Sequence, residues 1–254
     1  IQRNIKKCEQ AFGNEYYILE ESEFMPEIVP QVYYLDREGK KFGKKYFICE
    51  YIEGKILEGG SERSFFLAGQ TLSRIHSCNT GYIGGIQNKV KIHTIDDVYN
   101  YYYTYYKETL DKVQKIDYSL AGLIFKYLKK QFSISYYVNQ TPVLLHNDVH
   151  LKNIVISGEK IRYIDWDCSK YAHREVDFVK IKHLTENGKD KDKIKYFIQG
   201  YETVDGCIFT PNFKCHEVIW LAKMLVFEHY NPIERYGYFK PESYYKNEII
   251  KICK

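Results

Sequence analysis

The feature that most constrains this chain is a run of polar and β-favouring residues between positions 146 and 167. It reads HNDVHLKNIVI at 146–156, then SGEK at 157–160, and ends in IDWD at 164–167. The stretches on either side of SGEK are rich in branched apolar residues, and SGEK has the composition of a tight turn, so a β-hairpin is predicted. A carboxylate at Asp148, an amide at Asn153 and a second carboxylate at Asp165 therefore border one hairpin.

These three side chains offer hard oxygen ligands and one candidate base. Phosphoryl transfer needs metal ions to neutralise phosphate charge, and a carboxylate to orient the attacking hydroxyl and accept its proton. Mg²⁺ prefers oxygen donors and keeps several waters, so one Asp, one Asn and the phosphates of a nucleotide are enough to hold it. The run therefore predicts phosphoryl transfer. Ordinary turn residues between strands are the plain alternative.

Hydrophobic spacing divides the chain into a small β-containing part and a larger helical part. Residues 1–22 carry apolar residues at three- and four-residue steps, which predicts an amphipathic helix. The runs VYYLD and YFICEYI, separated by REGKKFGKK, predict a second hairpin, and VLLH at 143–146 predicts a further short strand. Helices are predicted at FFLAGQTLSRIHS, DDVYNYYYTYYKETLDKV and SLAGLIFKYLKKQF, and again from about Val176 through KIKYFIQGYETV and HEVIWLAKMLVFEHY.

Composition excludes several classes of protein. The net charge of +4 is mild and the lysines are scattered, so the chain lacks the basic stripe of a nucleic-acid binder. Seven cysteines without a CxxC pair argue against a disulfide framework or a cysteine zinc site. No apolar run approaches the ~20 residues that span a bilayer, and no signal peptide is recognisable. We therefore predict a cytoplasmic protein that binds neither nucleic acid nor membrane.

The run H-N-D-x-x-x-x-N followed by I-D-W-D resembles the catalytic loop and metal-binding segment of the aminoglycoside phosphotransferase and choline kinase superfamily, which is similar to protein kinases. The resemblance implies that Asp148 is the catalytic base and that His146 braces the loop. It implies that Asn153 and Asp165 hold Mg²⁺. It also implies a nucleotide, ATP or GTP, as the phosphate donor.

Two further segments resemble nucleotide-binding parts of that superfamily. FGNEYYILEE with VPQV resembles a helix whose glutamate pairs with the phosphate-binding lysine, which makes Glu15 the candidate. YFICEYIEG resembles the hinge between lobes, where backbone groups would meet adenine. The residues that the resemblance assigns to the nucleotide, besides Glu15, are Cys49, Glu50, Tyr51, Ile52 and Ile164.

Other polar residues near these motifs have simpler expected roles. AGQTLSRIHS resembles a helix of the superfamily in which His76 packs or caps, and Asp177 in REVDF stands where the superfamily has a loop-bracing acid. Lys152 could approach the transferred phosphate, although a loop lysine is more often solvated. His150 could meet substrate or solvent, and no second histidine sits at metal-ligand spacing.

The resemblance implies an α+β, protein-kinase-like fold of two lobes. Residues 1–54 would form a partial nucleotide-binding lobe, and residues 55–254 a mainly helical lobe with the catalytic loop and acceptor pocket. The glycine-rich turn and the strand with the phosphate lysine precede the glutamate helix in such proteins and are not in this sequence. We expect the intact gene product to carry roughly forty further N-terminal residues that supply them, the length of three short strands with turns.

The acceptor is expected to be a hydroxyl of a small molecule. Aminoglycosides and choline are cations, which favour carboxylates and aromatic faces. Bacterial choline-kinase-like members and homoserine, fructosamine and methylthioribose kinases share the scaffold. The acidic and aromatic residues available in the C-terminal region are Glu175, Glu186, Glu202, Asp205, Glu217, Trp220, Glu228 and Tyr230.

Two other functions compete with this one. A kinase-like protein that has lost catalysis and serves a binding or structural role, as in spore-coat relatives, is opposed by the presence of all three site residues. A nucleotide-independent hydrolase could use Asp148 and Asp165 as paired carboxylates. That mechanism gives no task to Asn153 or to the hinge-like strand.

Overall fold

The computed structural model describes residues 13–19, 25–78, 80–185, 190–205, 209–231 and 240–254. Within the helix predicted for residues 1–22, residues 13–19 are helical and are labelled α1, and the remainder lies outside the described residues. The chain divides into two compact units. Unit 1 comprises Ile1–Val90 and Thr141–Ile208, and unit 2 comprises Lys91–Gln140 and Phe209–Lys254. The two units are distinguished by which residues pack together. The lobe boundary predicted at residue 54 stays a prediction.

Unit 1 contains both predicted hairpins. Strands β1 (Val32–Asp36) and β2 (Tyr46–Cys49) pair antiparallel, with a register shift between Val32 and Tyr34. Strands β7 (Ile154–Ser157) and β8 (Lys160–Tyr163) form the second hairpin, and β3 (Lys55–Ile56) pairs with the outer side of β7. Gly158 has φ 63° in the SGEK turn, a left-handed conformation that glycine adopts without strain. Both hairpin predictions are confirmed.

A four-stranded sheet in the order β5-β4-β9-β6 was not predicted as such. It consists of β4 (Tyr82–Gly85), β5 (Val90–Lys91), β6 (Val143–Leu145) and β9 (Lys170–Ala172), and only β6 matches a predicted strand. The two glycines of β4 and the two-residue length of β5 have no strand-like pattern, because such short strands depend on their neighbours rather than on local propensity. The β6 strand, buried at all three positions, leads directly into the polar run at 146.

Four helices and one short 3-10 helix complete the described part of unit 1. They are α1, α2 (Glu62–His76), α5 (Glu175–Thr185), α6 (Ile194–Asp205) and a 3-10 turn at Lys191–Lys193. Helix α2 begins at Ser61, whose side chain accepts a hydrogen bond from the Ser64 amide. Because a Cβ at Gly69 of α2 would overlap the carbonyl oxygen of Phe197 in α6, the two helices pack with their backbones in close approach.

Unit 2 is helical in its described residues. It contains α3 (Ile95–Gln114), α4 (Tyr118–Gln131), a 3-10 helix at Ile134–Tyr137, α7 (Phe213–Tyr230) and α8 (Glu242–Cys253). The buried imidazole of His216 links α7 to α3 and to the 3-10 helix, since its Nδ1 lies 2.9 Å from the Tyr106 hydroxyl and its Nε2 lies 2.6 Å from the Tyr137 hydroxyl. Tyr106 and Tyr137 are therefore buried residues of the core with hydrogen-bonded hydroxyl groups. None of the helices within the described ranges has the length and apolarity needed to cross a bilayer.

Candidate active site

The β7–β8 hairpin brings the predicted metal-binding residues to one end. Ile154 of β7 pairs with Tyr163 of β8, so the next residues outward, Asn153 and Ile164, lie opposite each other at the open end of the hairpin. The Ile164 amide donates a hydrogen bond of 3.0 Å to the Asn153 carbonyl oxygen, and Asp165 is the next residue. The Tyr163 hydroxyl donates to the Ala68 carbonyl oxygen at 2.9 Å, which fixes this end of the hairpin against α2.

Asp148 and Asn153 contact each other within the loop. The Asn153 Nδ2 group donates to the Asp148 carbonyl oxygen at 3.1 Å and to Asp148 Oδ2 at 3.2 Å. Asn153 is buried, and these two bonds occupy its amide nitrogen, so Oδ1 is the atom able to bind a cation. The structure therefore places the predicted base beside one predicted metal ligand. Asp165 lies at the adjoining end of the hairpin.

His146 is a buried brace between the loop and the metal segment. Its Nε2 lies 2.9 Å from the Ile164 carbonyl oxygen, which can only accept, so Nε2 carries the proton. Its Nδ1 accepts a hydrogen bond of 3.3 Å from the Asp148 amide. Burial lowers the pKa of His146 from 6.5 to about 4, and the ring is therefore neutral at pH 7. A neutral imidazole with both nitrogens engaged suits the bracing role.

Asp177 holds the start of the loop from below. This buried carboxylate accepts hydrogen bonds from the His146 amide at 3.1 Å and from the Asn147 amide at 2.7 Å. His76 Nε2 lies 3.0 Å from the same carboxylate, and His76 Nδ1 lies 2.8 Å from the Tyr201 hydroxyl. These contacts agree with the expected bracing role of Asp177 and with a packing role for His76.

Two residues of the site have left-handed backbone conformations. Asn147 has φ 59° and Asp165 has φ 66°, and they are the only residues other than glycine with positive φ in the described part of the chain. Asn and Asp tolerate this region better than other side chains, but each still stores some strain. Asn147 is next to the predicted base Asp148, and Asp165 is itself a predicted metal ligand. Backbone strain tends to be retained at such positions when it orients functional groups.

Helix α1 places Glu15 beside the metal segment. Burial, followed by the nearby charges of Asp165 and Asp167, raises the pKa of Glu15 from 4.5 to about 7, and a hydrogen bond from the Trp166 amide opposes part of the shift. The pKa of Asp165 is also raised, first by desolvation and then by Asp167. The proximity of the Glu15, Asp165 and Asp167 carboxylates favours binding of a cation. The predicted role of Glu15, pairing with a phosphate-binding lysine, stays a prediction.

Hydrogen bonds from neighbouring segments fix α1 in this place. The Asn14 side chain donates to the Asp167 carbonyl oxygen at 3.0 Å and accepts a bond of 3.4 Å from Gln87. Lys89 Nζ lies 3.1 Å from the Tyr17 hydroxyl. The position of Glu15 next to Asp165 is thus determined by the loop after β4 as well as by the metal segment.

The hinge-like segment follows β2 and reaches the same region. The Glu50 amide donates to the Gln31 carbonyl oxygen at 2.7 Å, so that group is already used. Burial is the main cause that raises the pKa of the Cys49 thiol, and the negative charges of Glu15 and Glu50 add to it. The end of β2 is therefore near enough to Glu15 of α1 to feel its charge. Tyr51 is 89% exposed and Ile52 is partly buried. Adenine contacts by this segment stay a prediction.

Ile164 and the loop residues His150 and Lys152 complete the predicted set. Both backbone groups of Ile164 are bonded within the site, so only its partly buried side chain is left for a nucleotide. His150 Nε2 lies 3.9 Å from Asp148 Oδ2, and burial lowers the pKa of His150. His150 Nδ1 accepts from the Lys152 amide at 3.2 Å. His150 therefore caps the loop and borders the base.

The ligand set fits Mg²⁺ rather than a metal held by protein alone. Among the described residues no group of three or more His, Cys, Asp or Glu side chains is arranged to hold a metal ion. Mg²⁺ needs only one or two carboxylates when phosphates and waters supply the remaining positions. Asn153 Oδ1 and the Asp165 carboxylate are oxygen donors of the kind that Mg²⁺ prefers, and their role as its ligands stays a prediction.

The candidate acceptor-binding residues are distributed over both units. In unit 1 Glu175 is buried and Glu202 is exposed, whereas Glu186 and the side chain of Asp205 lie outside the described part. In unit 2 Glu217 and Glu228 are buried, Trp220 is partly buried and Tyr230 is 60% exposed. An acceptor role for any of them stays a prediction.

One contact of the site was missed by the sequence analysis. The ammonium of Lys180 in α5 forms an ion pair with Asp148 Oδ1. Lys180 follows Asp177 by three positions, which places both on one side of α5. An Asp–Lys pair at this spacing, on the first helix after the metal segment, is the signal that could have indicated it.

The hairpin, the braced loop and the flanking helices form a kinase-like α+β fold. Residues 9–207 match the model of the phosphotransferase enzyme family, and the chain belongs to that family. The predicted resemblance to aminoglycoside phosphotransferases and the predicted fold class are thereby confirmed. No curated protein matches the chain at a significant level.

Solved structures of aminoglycoside phosphotransferases have the same fold. APH(4)-Ia is 13% identical with a TM-score of 0.62, and the match covers 97% of this chain and 83% of that one. The gentamicin complex of APH(2″)-IIa is 14% identical with a TM-score of 0.57, covering 97% and 80%. ADP-bound APH(2″)-Ib is 15% identical with a TM-score of 0.59, covering 97% and 82%. At these identities the likeness concerns the fold alone.

Proposed function

We propose that this protein transfers the γ-phosphate of ATP to a hydroxyl group of a small cationic molecule, with Mg²⁺ bound by Asn153 and Asp165. The observation that carries the proposal is the convergence of Asp148, Asn153 and the residues preceding Asp165 at one end of the β7–β8 hairpin. Proteins of this family are phosphotransferases, and an oxygen-rich site beside a candidate base is what that chemistry requires.

The reaction would proceed with Asp148 as the proton acceptor. The acceptor oxygen forms a bond to the γ-phosphorus, the bond from that phosphorus to the bridging oxygen breaks, and ADP leaves with the electron pair. The hydroxyl proton passes to the Asp148 carboxylate. Mg²⁺, when bound, would neutralise charge on the phosphate oxygens. His146 and Asp177 would keep the loop in place through the bonds already described.

The nucleotide would lie between the hinge segment and the metal segment. Cys49, Tyr51, Ile52 and the carbonyl group of Glu50 would supply backbone groups for adenine, and the side chain of Ile164 would supply an apolar contact. Support comes from Glu15, whose charge raises the pKa of Cys49 and whose own pKa is raised by the charges of Asp165 and Asp167. These effects indicate that the end of β2, α1 and the metal segment are close together. ATP is favoured over GTP because an APH(2″)-Ib structure contains ADP and an APH(4)-Ia structure contains AMP-PNP.

A cationic acceptor is supported by what the structural neighbours bind. One neighbour is in complex with gentamicin and another with hygromycin B. Both the aminoglycoside class and the choline class carry amines and hydroxyls, so acidic and aromatic side chains would suit either one. We propose an aminoglycoside-type or choline-type acceptor for this chain.

One observation favours a second function, a kinase-like protein that binds ligands without catalysis. Both carboxylate oxygens of Asp148 are engaged by the protein, Oδ1 by Lys180 and Oδ2 by Asn153. If Lys180 neutralised the base permanently, phosphate transfer would fail although nucleotide binding persisted. Activity measurements separate the two functions directly.

The test is phosphate transfer by the full-length gene product, with ATP and Mg²⁺, to gentamicin, hygromycin B and choline in turn. We expect transfer to at least one acceptor, loss of transfer on chelation of Mg²⁺, and loss in Asp148→Asn. Asp192→Asn, the same change at an exposed carboxylate of unit 1, serves as the control and keeps full activity. Nucleotide binding without transfer to any acceptor would support the binding-protein alternative, and transfer surviving in Asp148→Asn would refute the assigned base.

A further inference from the structure

Lys180 reaches the predicted base from outside the catalytic loop. Its ammonium pairs with Asp148 Oδ1, and both side chains are partly buried, with 24% of Lys180 and 17% of Asp148 exposed. The two residues are 32 positions apart, so the contact depends on the packing of α5 rather than on the loop. Partly buried ion pairs are screened less by solvent than surface pairs, so this one can fix a side chain.

Helix α5 holds the loop in two ways at once. Through Asp177 it binds the backbone amides of His146 and Asn147, at 3.1 and 2.7 Å. Through Lys180, one turn further along the helix, it holds the side chain of Asp148. A shift of the loop relative to α5 would therefore break contacts at both residues, so the orientation of Asp148 is coupled to a rigid element.

The carboxylate of Asp148 is fixed at both oxygens yet can still act. Lys180 binds Oδ1 and Asn153 Nδ2 binds Oδ2 at 3.2 Å, which together prevent free rotation of the carboxylate group. An ionised carboxylate has about four acceptor positions, so two protein contacts leave positions for a substrate hydroxyl. The arrangement resembles a clamp that orients the base rather than a cap that blocks it.

We propose that Lys180 is a positioning residue for phosphate transfer, holding the Asp148 carboxylate toward the acceptor hydroxyl. This inference rests on the proposed function. During transfer Lys180 neither gives nor receives an atom: the hydroxyl proton goes to Asp148 and ADP departs with the electron pair. A displacement of a reacting group by about 1 Å can lower the rate about a hundredfold. Loss of Lys180 should therefore lower kcat.

The experiment compares three variants of the full-length gene product. Lys180→Met removes the positive charge and Lys180→Arg keeps it. Lys160→Met is the control: Lys160 is exposed, and its Nζ lies 3.5 Å from Oε1 of Glu27, which is also exposed. We measure kcat and KM for ATP and for whichever of gentamicin, hygromycin B or choline is phosphorylated, together with ATP hydrolysis and the thermal midpoint. Lys180→Met should lower kcat about 10- to 100-fold with little change in either KM. Lys180→Arg should recover part of kcat, and Lys160→Met should match the unaltered protein.

Each other outcome has a defined meaning. If Lys180→Met folds and keeps the unaltered kcat, or if kcat rises, Lys180 does not position the base and the inference fails while the proposed function stands. If Lys180→Met does not fold, the Lys180→Arg variant decides, because a positioning role predicts a reduced kcat with KM retained and a purely structural role predicts an unchanged kcat. If the unaltered protein neither phosphorylates any of the three acceptors nor hydrolyses ATP, the proposed function itself fails, and the inference with it.

Discussion

Replacing Glu50 by Gln should destabilise the folded chain through Arg162. Glu50 and Arg162 meet in a two-pronged contact, with Nη2 to Oε2 at 2.7 Å and Nη1 to Oε1 at 3.3 Å. Arg162 also donates to the Val29 carbonyl oxygen at 2.6 Å, and only 11% of its side chain is exposed. The pair joins the hinge-like segment to the strand that leads into Asp165. Glu50→Gln keeps the shape of the side chain and removes the charge that Arg162 faces.

The expected loss is about 2 kcal/mol in the free energy of unfolding. Breaking a fully buried pair destabilises by about 3–5 kcal/mol, but 29% of the Glu50 side chain is exposed and solvent screens part of the effect. Glu27→Gln is the matched control, since Glu27 pairs with Lys160 on the same β8 strand and both side chains are more than half exposed. Urea denaturation at about pH 7 should show a change below about 0.5 kcal/mol for that control.

The difference should also depend on pH in a defined direction. The hydrogen bond from Arg162, more than any other contact, lowers the pKa of Glu50 below 4.5. A carboxylate with a lowered pKa in the folded state stabilises above its unfolded-state pKa, and this contribution is lost as pH falls through the folded-state pKa. The gap between Glu50→Gln and the unaltered protein should therefore shrink below pH 4.5. Equal urea midpoints for Glu50→Gln and Glu27→Gln at about pH 7 would refute the reasoning.

Two further predictions concern packing and the brace. Gly69→Ala should destabilise by at least about 2 kcal/mol, because the new Cβ overlaps the Phe197 carbonyl oxygen, whereas Gly122→Ala on α4 meets open space and should stabilise by about 0.5–1 kcal/mol. Opposite shifts of the thermal midpoint check this pair, and equal shifts would contradict the close helix approach. Asp177→Asn should destabilise by about 2–4 kcal/mol, because the buried acceptor of the His146 amide is weakened, and urea denaturation measures the change. An unaltered urea midpoint would show that the brace is dispensable.

The sequence was sufficient for the elements whose pattern is local. The SGEK turn between two β-rich runs predicted the β7–β8 hairpin, and three- to four-residue spacing predicted α2, α3, α4 and α7. The short strands β4, β5 and β9 were not predicted, because two to four residues contain too little periodicity and their pairing is made by partners distant in sequence. Helix α8 was anticipated only as a helical remainder.

The candidate site divides in the same way. The loop and metal residues stand at recognisable spacing in one run, so they could be named from the sequence alone. Lys180 was not named, because the sequence shows its spacing from Asp177 but not its contact with Asp148, which depends on how α5 packs against the loop. The environment of Glu15 was also out of reach, since the burial that raises its pKa to about 7 comes from tertiary packing.

The loop, the metal segment and α5 lie close together in the sequence. The bonds that join the loop, the metal segment and α5 link residues no more than 32 positions apart, from His146 to Lys180. A centre assembled from neighbours in sequence does not rely on the α3, α4, α7 and α8 helices for its internal geometry. Substitutions in those helices should therefore leave the bonds among the loop, the metal segment and α5 in place.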